Sequence, residues 1–138
     1  MTQVRELMTP DPEHLSADDT LVTAAQRMRD ADVGSLPVCD ADGQVTGIIT
    51  DRDIVVKCIA DGGDPSSATV GSIASEMVYT VGPDDQIENA LSVMEDHQVR
   101  RLPIVENGKL VGMLAQADVA RTMSEPRVGE VVEEISKS

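Results

Sequence analysis

Two seven-residue stretches, Gly47-Ile48-Ile49-Thr50-Asp51-Arg52-Asp53 and Gly112-Met113-Leu114-Ala115-Gln116-Ala117-Asp118, share a leading glycine, two large aliphatics and a closing aspartate. Only the first keeps a hydroxyl and a basic group between those points, Thr50 and Arg52; the second has Ala115 and Ala117. The aliphatics read as the end of a strand and the aspartate as the first turn of a helix. At such a joint, free backbone N–H groups and the positive end of the helix dipole favour an anion such as phosphate. A threonine adds a hydroxyl donor, and an aspartate one turn on accepts bonds from two neighbouring hydroxyls, as on a ribose. Thr50 and Asp53 fit those roles by spacing. They equally fit an ordinary helix cap with an acid in the first turn.

Other residues able to do chemistry are few. Arg100-Arg101 is the only adjacent basic pair and stands where the first copy has Gly34-Ser35. Solvated arginines balancing Glu95 and Asp96 account for it as well as anion binding does. Tyr79, the sole aromatic, suits either the face of a purine or a cover over a sheet edge. His14 and Cys39 fall on neighbouring strands, but a metal site needs three or four ligands, so no metal is expected. Two histidines placed this way make no Ser/His/Asp or Cys/His constellation, and no phosphate-binding glycine run is present. No catalytic residues are expected.

The elements that must position these groups follow from a tandem repeat. Residues 20–55 lie over residues 86–120 with one residue deleted in a turn, and Ala24/Ala90, Met28/Met94, Leu36/Leu102, Pro37/Pro103 and Gly47/Gly112 are identical pairs. Asp18-Asp19 and Asp84-Asp85 read as cap and first-turn acids of a helix in each copy. Leu21, Ala24, Ala25 and Met28, and likewise Ile87, Ala90, Leu91 and Met94, form one apolar stripe. A short apolar strand follows, then a turn, with Asn107-Gly108 supplying the positive-φ pair of a tight hairpin, then a second strand. A second helix opens near Asp51 or Gln116 and is expected to bury Ile54, Cys58 and Ile59, or Val119 and Met123. Similar lead-in segments begin at Val4 and Val70, each expected to reach a strand just before the capped helix. The expected divisions are 1–62 for the first repeat with its lead-in, 63–69 for a polar linker, 70–126 for the second repeat, and 127–138 for an amphipathic tail.

A net charge of −14 opposes phosphate-backbone binding, so no nucleic-acid partner is expected. With no Phe and no Trp, the core must come from Val, Ile, Leu, Ala and Met. No apolar run is long enough to span a bilayer, and the N-terminal stretch lacks the layout of a secretory signal. A cytoplasmic location without membrane attachment is the expectation. Cys39 and Cys58 have no CxxC spacing and read as small core hydrophobes.

The duplicated strand–helix–strand–strand–helix unit, with its Leu-Pro strand openings and Gly-aliphatic-aliphatic-Thr-x-x-Asp joint, resembles the CBS domain. The pair resembles a Bateman module of the small stand-alone regulatory type, some of which serve stress responses. That resemblance implies an α+β fold of two β-α-β-β-α repeats packed as a pseudo-twofold disk with two clefts. It implies a non-enzymatic sensor of an adenosine-containing ligand such as AMP, ADP, ATP or S-adenosylmethionine, with no required cofactor and an unidentified protein partner. It further implies that Thr50, Arg52, Asp53, Arg100, Arg101 and Tyr79 line one cleft, and Asp118, Gly34 and Ser35 a weaker one. A homodimer is expected from apolar helix faces around Ile54, Val55, Ile59, Val119 and Met123. The alternatives are a ligand-free interaction module, or a redox or metal sensor using Cys39 and His14.

Overall fold

The computed structural model describes residues 2–76 and 79–122; Met123 and the tail 127–138 lie outside the described residues. From the N-terminus the elements are α1 (Val4–Leu7), β1 (Thr9–Pro10), α2 (Leu21–Ala31), β2 (Ser35–Cys39), β3 (Val45–Thr50), α3 (Asp51–Ile54, running on through a π-helical turn, Val55–Ile59), α4 (Val70–Ile73), α5 (Ile87–His97), β4 (Arg101–Glu106), β5 (Lys109–Ala115) and α6 (Gln116–Ala120). This is the α+β fold that the family resemblance implies. No helix among the described residues is long and apolar enough to cross a membrane.

The chain packs as two units. One begins at Glu13 and holds the first repeat together with α4; the other joins the residues up to Pro12 to the second repeat. The first unit buries Leu15, Leu21, Ala24, Met28, Leu36, Val38, Ile49, Ile54, Cys58 and Val70 as one cluster. In the second, Val4, Val81, Ile87, Ala90, Leu91, Met94, Leu102, Ile104, Leu114 and Val119 do the same. Both clusters contain the predicted helix stripes, with the exception of Ala25, which is exposed.

Each unit is built on an antiparallel hairpin, β2 with β3 and β4 with β5. Asn107 (φ 55°) and Gly108 (φ 82°) make the second turn with the expected positive-φ pair. In the first, Gly43 (φ 82°) turns the chain while the Asp40 carboxylate accepts the N–H groups of Asp42 and Gln44.

Three local expectations are corrected. The acids do not cap the long helices. The N-cap of α2 is Thr20, whose hydroxyl accepts from Thr23 N–H at 3.2 Å, and α5 starts after Gln86 with no side-chain cap. Asp19 instead accepts from Ser16 N–H at 2.9 Å, and Asp85 from Gly82 N–H at 2.8 Å. Those bonds close turns directly after Leu15 and Val81, which explains the second correction. The strand expected before each helix is a single bridging residue, Leu15 beside Val38 and Val81 beside Ile104, because the next N–H is already taken. Third, Ile59 is 51% exposed; the wider π-helical turn carries it off the buried face that Ile54 and Cys58 occupy.

The motif glycines are explained by close approach. Ser75 bridges Ile48 of β3, and β1 pairs with β5 through Thr9–Met113 and Pro10–Gly112. Each lead-in segment therefore lies against the motif strand. A Cβ on Gly47 would sit 2.7 Å from the Ser75 carbonyl oxygen, a backbone atom held by the bridge. A Cβ on Gly112 would meet the Met8 thioether, with the Thr9 carbonyl at 3.2 Å; the thioether can swing away. Gly47→Ala is accordingly expected to lower stability in urea denaturation by about 1–3 kcal/mol. Gly112→Ala should cost less, and pairing it with Met8→Ala should not recover a loss of the Gly47 size.

Candidate functional site

The Thr50–Asp53 joint is a reciprocal cap. Thr50 leaves β3 in extended conformation (φ −115°, ψ 159°). Its hydroxyl accepts from Asp53 N–H at 3.0 Å, while Asp53 Oδ2 accepts from Thr50 N–H at 3.0 Å. The other carboxylate oxygen, Oδ1, lies 3.4 Å from Lys57 Nζ, with the Asp53 side chain 18% exposed. The cap that the sequence allows is formed.

The hairpin register brings Gly34 and Ser35 to this joint. Ser35 pairs with Thr50, and the Gly34 carbonyl accepts from Asp51 N–H at 2.9 Å. A Cβ on Gly34 would approach Asp51 Oδ2 to 3.2 Å, so a small residue keeps the corner open. Arg52 is exposed, its N–H donating to Asp51 Oδ1 at 2.8 Å.

The second joint has the same backbone and different side chains. Ala115 (φ −104°, ψ 144°) stands at the N-cap with no side-chain cap. The Arg100 carbonyl accepts from Gln116 N–H at 2.8 Å, and Arg101 pairs with Ala115. Arg100 is exposed and Arg101 half-buried. Asp118 forms an ion pair with Arg121, and Gln116 Nε2 is buried with no hydrogen-bond partner among the described residues. Within each unit, then, the hydroxyl and carboxylate of Thr50 and Asp53 adjoin Gly34-Ser35, and the arginine pair adjoins Ala115 and Gln116. A tight hairpin has this effect on any pair of residues that open its first strand and close its second.

Tyr79 stacks on His97, ring centroids 3.6 Å apart and planes at 14°, and packs against the core of its unit. One face of the ring is thereby used internally. Cys39 and Cys58 are buried free thiols. Burial, with the adjacent Asp40 charge adding to it, pushes the Cys39 thiol up from its ordinary value, which disfavours the reactive thiolate. His14 is exposed, and its carbonyl accepts from Arg27 at 2.7 Å. Lys57 and Arg121 are the neighbours of the motif aspartates that sequence reading missed. The signal was present: a base three or four residues after an acid on a helix faces it.

A family profile described as CBS domain matches residues 4–59 and again residues 70–125. Over 135 residues, 98% of this chain and 94% of the relative, the sequence is 42% identical to Hypoxic response protein 1 of Mycobacterium tuberculosis. It is 35% identical over 137 residues, 99% of this chain and 96% of the relative, to CBS domain-containing protein YhcV of Bacillus subtilis. Among solved structures, that of Hypoxic Response Protein I with two coordinated zinc ions superposes with a TM-score of 0.82 at 42% identity, over 89% of this chain and 100% of that one. CBSX2 in complex with AMP gives a TM-score of 0.76 at 24% identity, over 88% of this chain and 95% of that one, a likeness of fold alone. Among the described residues no group of three or more His, Cys, Asp and Glu side chains is placed to hold a metal.

The two joints differ by one cap, which gives a reciprocal expectation. Thr50→Ala removes the hydroxyl acceptor and should destabilise by about 1 kcal/mol. Ala115→Thr places a hydroxyl on the same backbone and should stabilise by a similar amount. Urea melts of the two variants check both signs.

Proposed function

Because this chain belongs to the CBS-domain family and carries two copies of the domain, we propose that it is a regulatory sensor that binds an adenosine-containing ligand of the AMP or ATP type and signals its occupancy to a protein partner. Stand-alone proteins of this family are generally regulatory and not enzymes. The observation that carries the ligand reading is the contrast between the joints: Thr50 and Asp53 present a hydroxyl and a carboxylate together, where the second copy has Ala115. In this reading Asp53 Oδ1, the carboxylate oxygen outside the cap, accepts a ribose hydroxyl, and the Thr50 hydroxyl donates to a phosphate. Arg101 is the proposed source of phosphate-binding charge, and Asp118, Gly34 and Ser35 are the candidates for a weaker second site. The name of the mycobacterial relative favours a role in a stress response.

A second reading is a ligand-free interaction module, and one observation favours it. Both Asp53 oxygens already have partners, Thr50 N–H and the Lys57 ammonium. Calorimetry with AMP and ATP, alongside thermal shift, separates the readings, since a ligand that binds only the folded state raises the melting temperature. The expected result is one site per chain, weakened about tenfold or more by Asp53→Ala or Arg101→Ala and little by Asp118→Ala, as loss of a charge-assisted bond implies. Two equivalent sites, or Asp118→Ala as the damaging change, would reverse the assignment of the joints. No heat and no thermal shift with either nucleotide would leave the interaction reading.

We also propose a homodimer, on a corrected patch. Ile54 and Val119 are buried, whereas Val55, Val56 and Ile59 are 58%, 46% and 51% exposed. Ile59 also lines a groove with Leu21, Val22, Ala25, Ile54 and Pro65, and with the polar Gln26 and Arg29. An apolar patch of this kind on an otherwise acidic chain fits a self-complementary interface. Light scattering at micromolar concentration should give twice the chain mass, falling to the single-chain mass with Ile59→Asp. A monomeric wild type overturns the proposal.

A further inference from the structure

Lys57 connects two places that the sequence keeps apart. Its Nζ lies 3.4 Å from Asp53 Oδ1 and donates to the carbonyl of Ile73 at 3.3 Å. Ile73 ends α4, where a carbonyl has no partner within the helix. Asp53 Oδ2 is committed to the Thr50 cap, so the ammonium governs the one carboxylate oxygen that the cap leaves over. The geometry is also directional. Lys57 is 49% exposed and Asp53 only 18%, so the lysine reaches inward to a carboxylate largely withdrawn from water.

The second copy lacks this arrangement. At the position of Lys57 it has Thr122, whose hydroxyl turns back to the Asp118 and Val119 carbonyls of its own turn. Asp118 is paired with Arg121, whose side chain is 73% exposed. The link to a lead-in helix thus occurs in the copy that keeps Thr50 and the capped aspartate. Two residues beyond Ile73, Ser75 N–H donates to the Ile48 carbonyl at 2.9 Å on β3, and Ala74 N–H to Val70 at 2.9 Å. The lysine, α4 and β3 therefore close a ring of contacts around the motif.

We infer that Lys57 is the positioning residue of Asp53, a strut that sets the free carboxylate oxygen and ties its occupancy to the packing of α4. A hydroxyl donating to Oδ1 draws on the same lone pairs as the ammonium and weakens its hold, and the Ile73 carbonyl then loses its partner. The strut stands on the contacts alone; its response to a ligand rests on the nucleotide reading proposed above.

Amide hydrogen exchange at Ala74 and Ser75 tests both parts in the full chain, using wild type, Lys57→Met and Lys57→Arg, with and without AMP. Without AMP, Lys57→Met is expected to speed exchange at these amides about two- to fivefold, the range of a partly exposed ion pair. Lys57→Arg, which keeps a cationic donor, should restore the wild-type rates. With AMP, exchange at the two amides should change in wild type and stay constant in Lys57→Met, while calorimetry shows that the variant still binds. Unaltered exchange in AMP-free Lys57→Met overturns the strut. An AMP response that survives in Lys57→Met overturns the coupling. If calorimetry shows no AMP binding to wild type, the nucleotide reading fails for that probe and the AMP-free comparison still decides the strut. Should Lys57→Met fold poorly, Lys57→Gln serves the same comparison.

Discussion

The contact on which the rest depends is the approach of a lead-in backbone to the glycine that opens each motif, inside the second strand of each hairpin. At Gly47 the facing atom is a bridged carbonyl, 2.7 Å from where a Cβ would stand. Nothing larger than hydrogen fits without displacing that bridge. The approach seats Val70 in one core and Val4 in the other, both fully buried, and sets the direction from which α4 and α1 arrive. In the unit that holds the second repeat, Arg5 secures the arrival by donating to Asp84, which lifts the guanidinium above its ordinary value. That pair is exposed, so burial of Val4 carries the docking and the charges orient it.

Given this frame, the two motif strands deliver the same backbone to two joints, and side chains alone make them different. Thr50 and Ala115 have nearly the same dihedral angles, so the first joint is capped by chemistry and not by geometry. In each copy a cation from the following turn attends the motif aspartate, Lys57 in one and Arg121 in the other. They come from different positions, and only Lys57 reaches a second element.

Much of this was legible in the sequence, for identifiable reasons. Leu21, Ala24 and Met28, with Ile87, Ala90 and Met94, were readable because apolar spacing reports which face of a helix is buried. Asn107-Gly108 was readable because few residues accept two consecutive positive φ angles. Asp19 and Asp85 misled because an acid before a helix caps either the helix or the preceding turn, and local sequence does not separate the two. Ile59 misled because a one-residue widening of the helix shifts every later side chain, a change no periodicity records. The side-by-side placement of Thr50 with Ser35, and of Arg101 with Ala115, depends on strand register. Register is set by the hairpin turns and the bulges at Val38/Cys39 and Ile104/Val105, and neither bulge has a sequence mark. Lys57 could be matched to Asp53 by spacing, but its bond to Ile73 joins segments that only folding brings together.

The capped state of Asp53 bears on how a ligand competes for it. An N-cap is worth about 1 kcal/mol and a partly exposed ion pair about 0.2–1 kcal/mol. A hydrogen bond from a neutral hydroxyl to a largely buried carboxylate is worth about 1.5–3 kcal/mol. A hydroxyl arriving at Oδ1 therefore outweighs Lys57 and leaves the Thr50 cap on Oδ2 intact. On the proposed nucleotide reading, the carboxylate would keep its orientation while Oδ1 changed partners, and the joint would bind without being reorganised. What moves is the lysine and whatever it holds. On this ordering of energies the cap fixes the site and the ion pair is the part that yields, which makes α4 the element most directly exposed to the exchange.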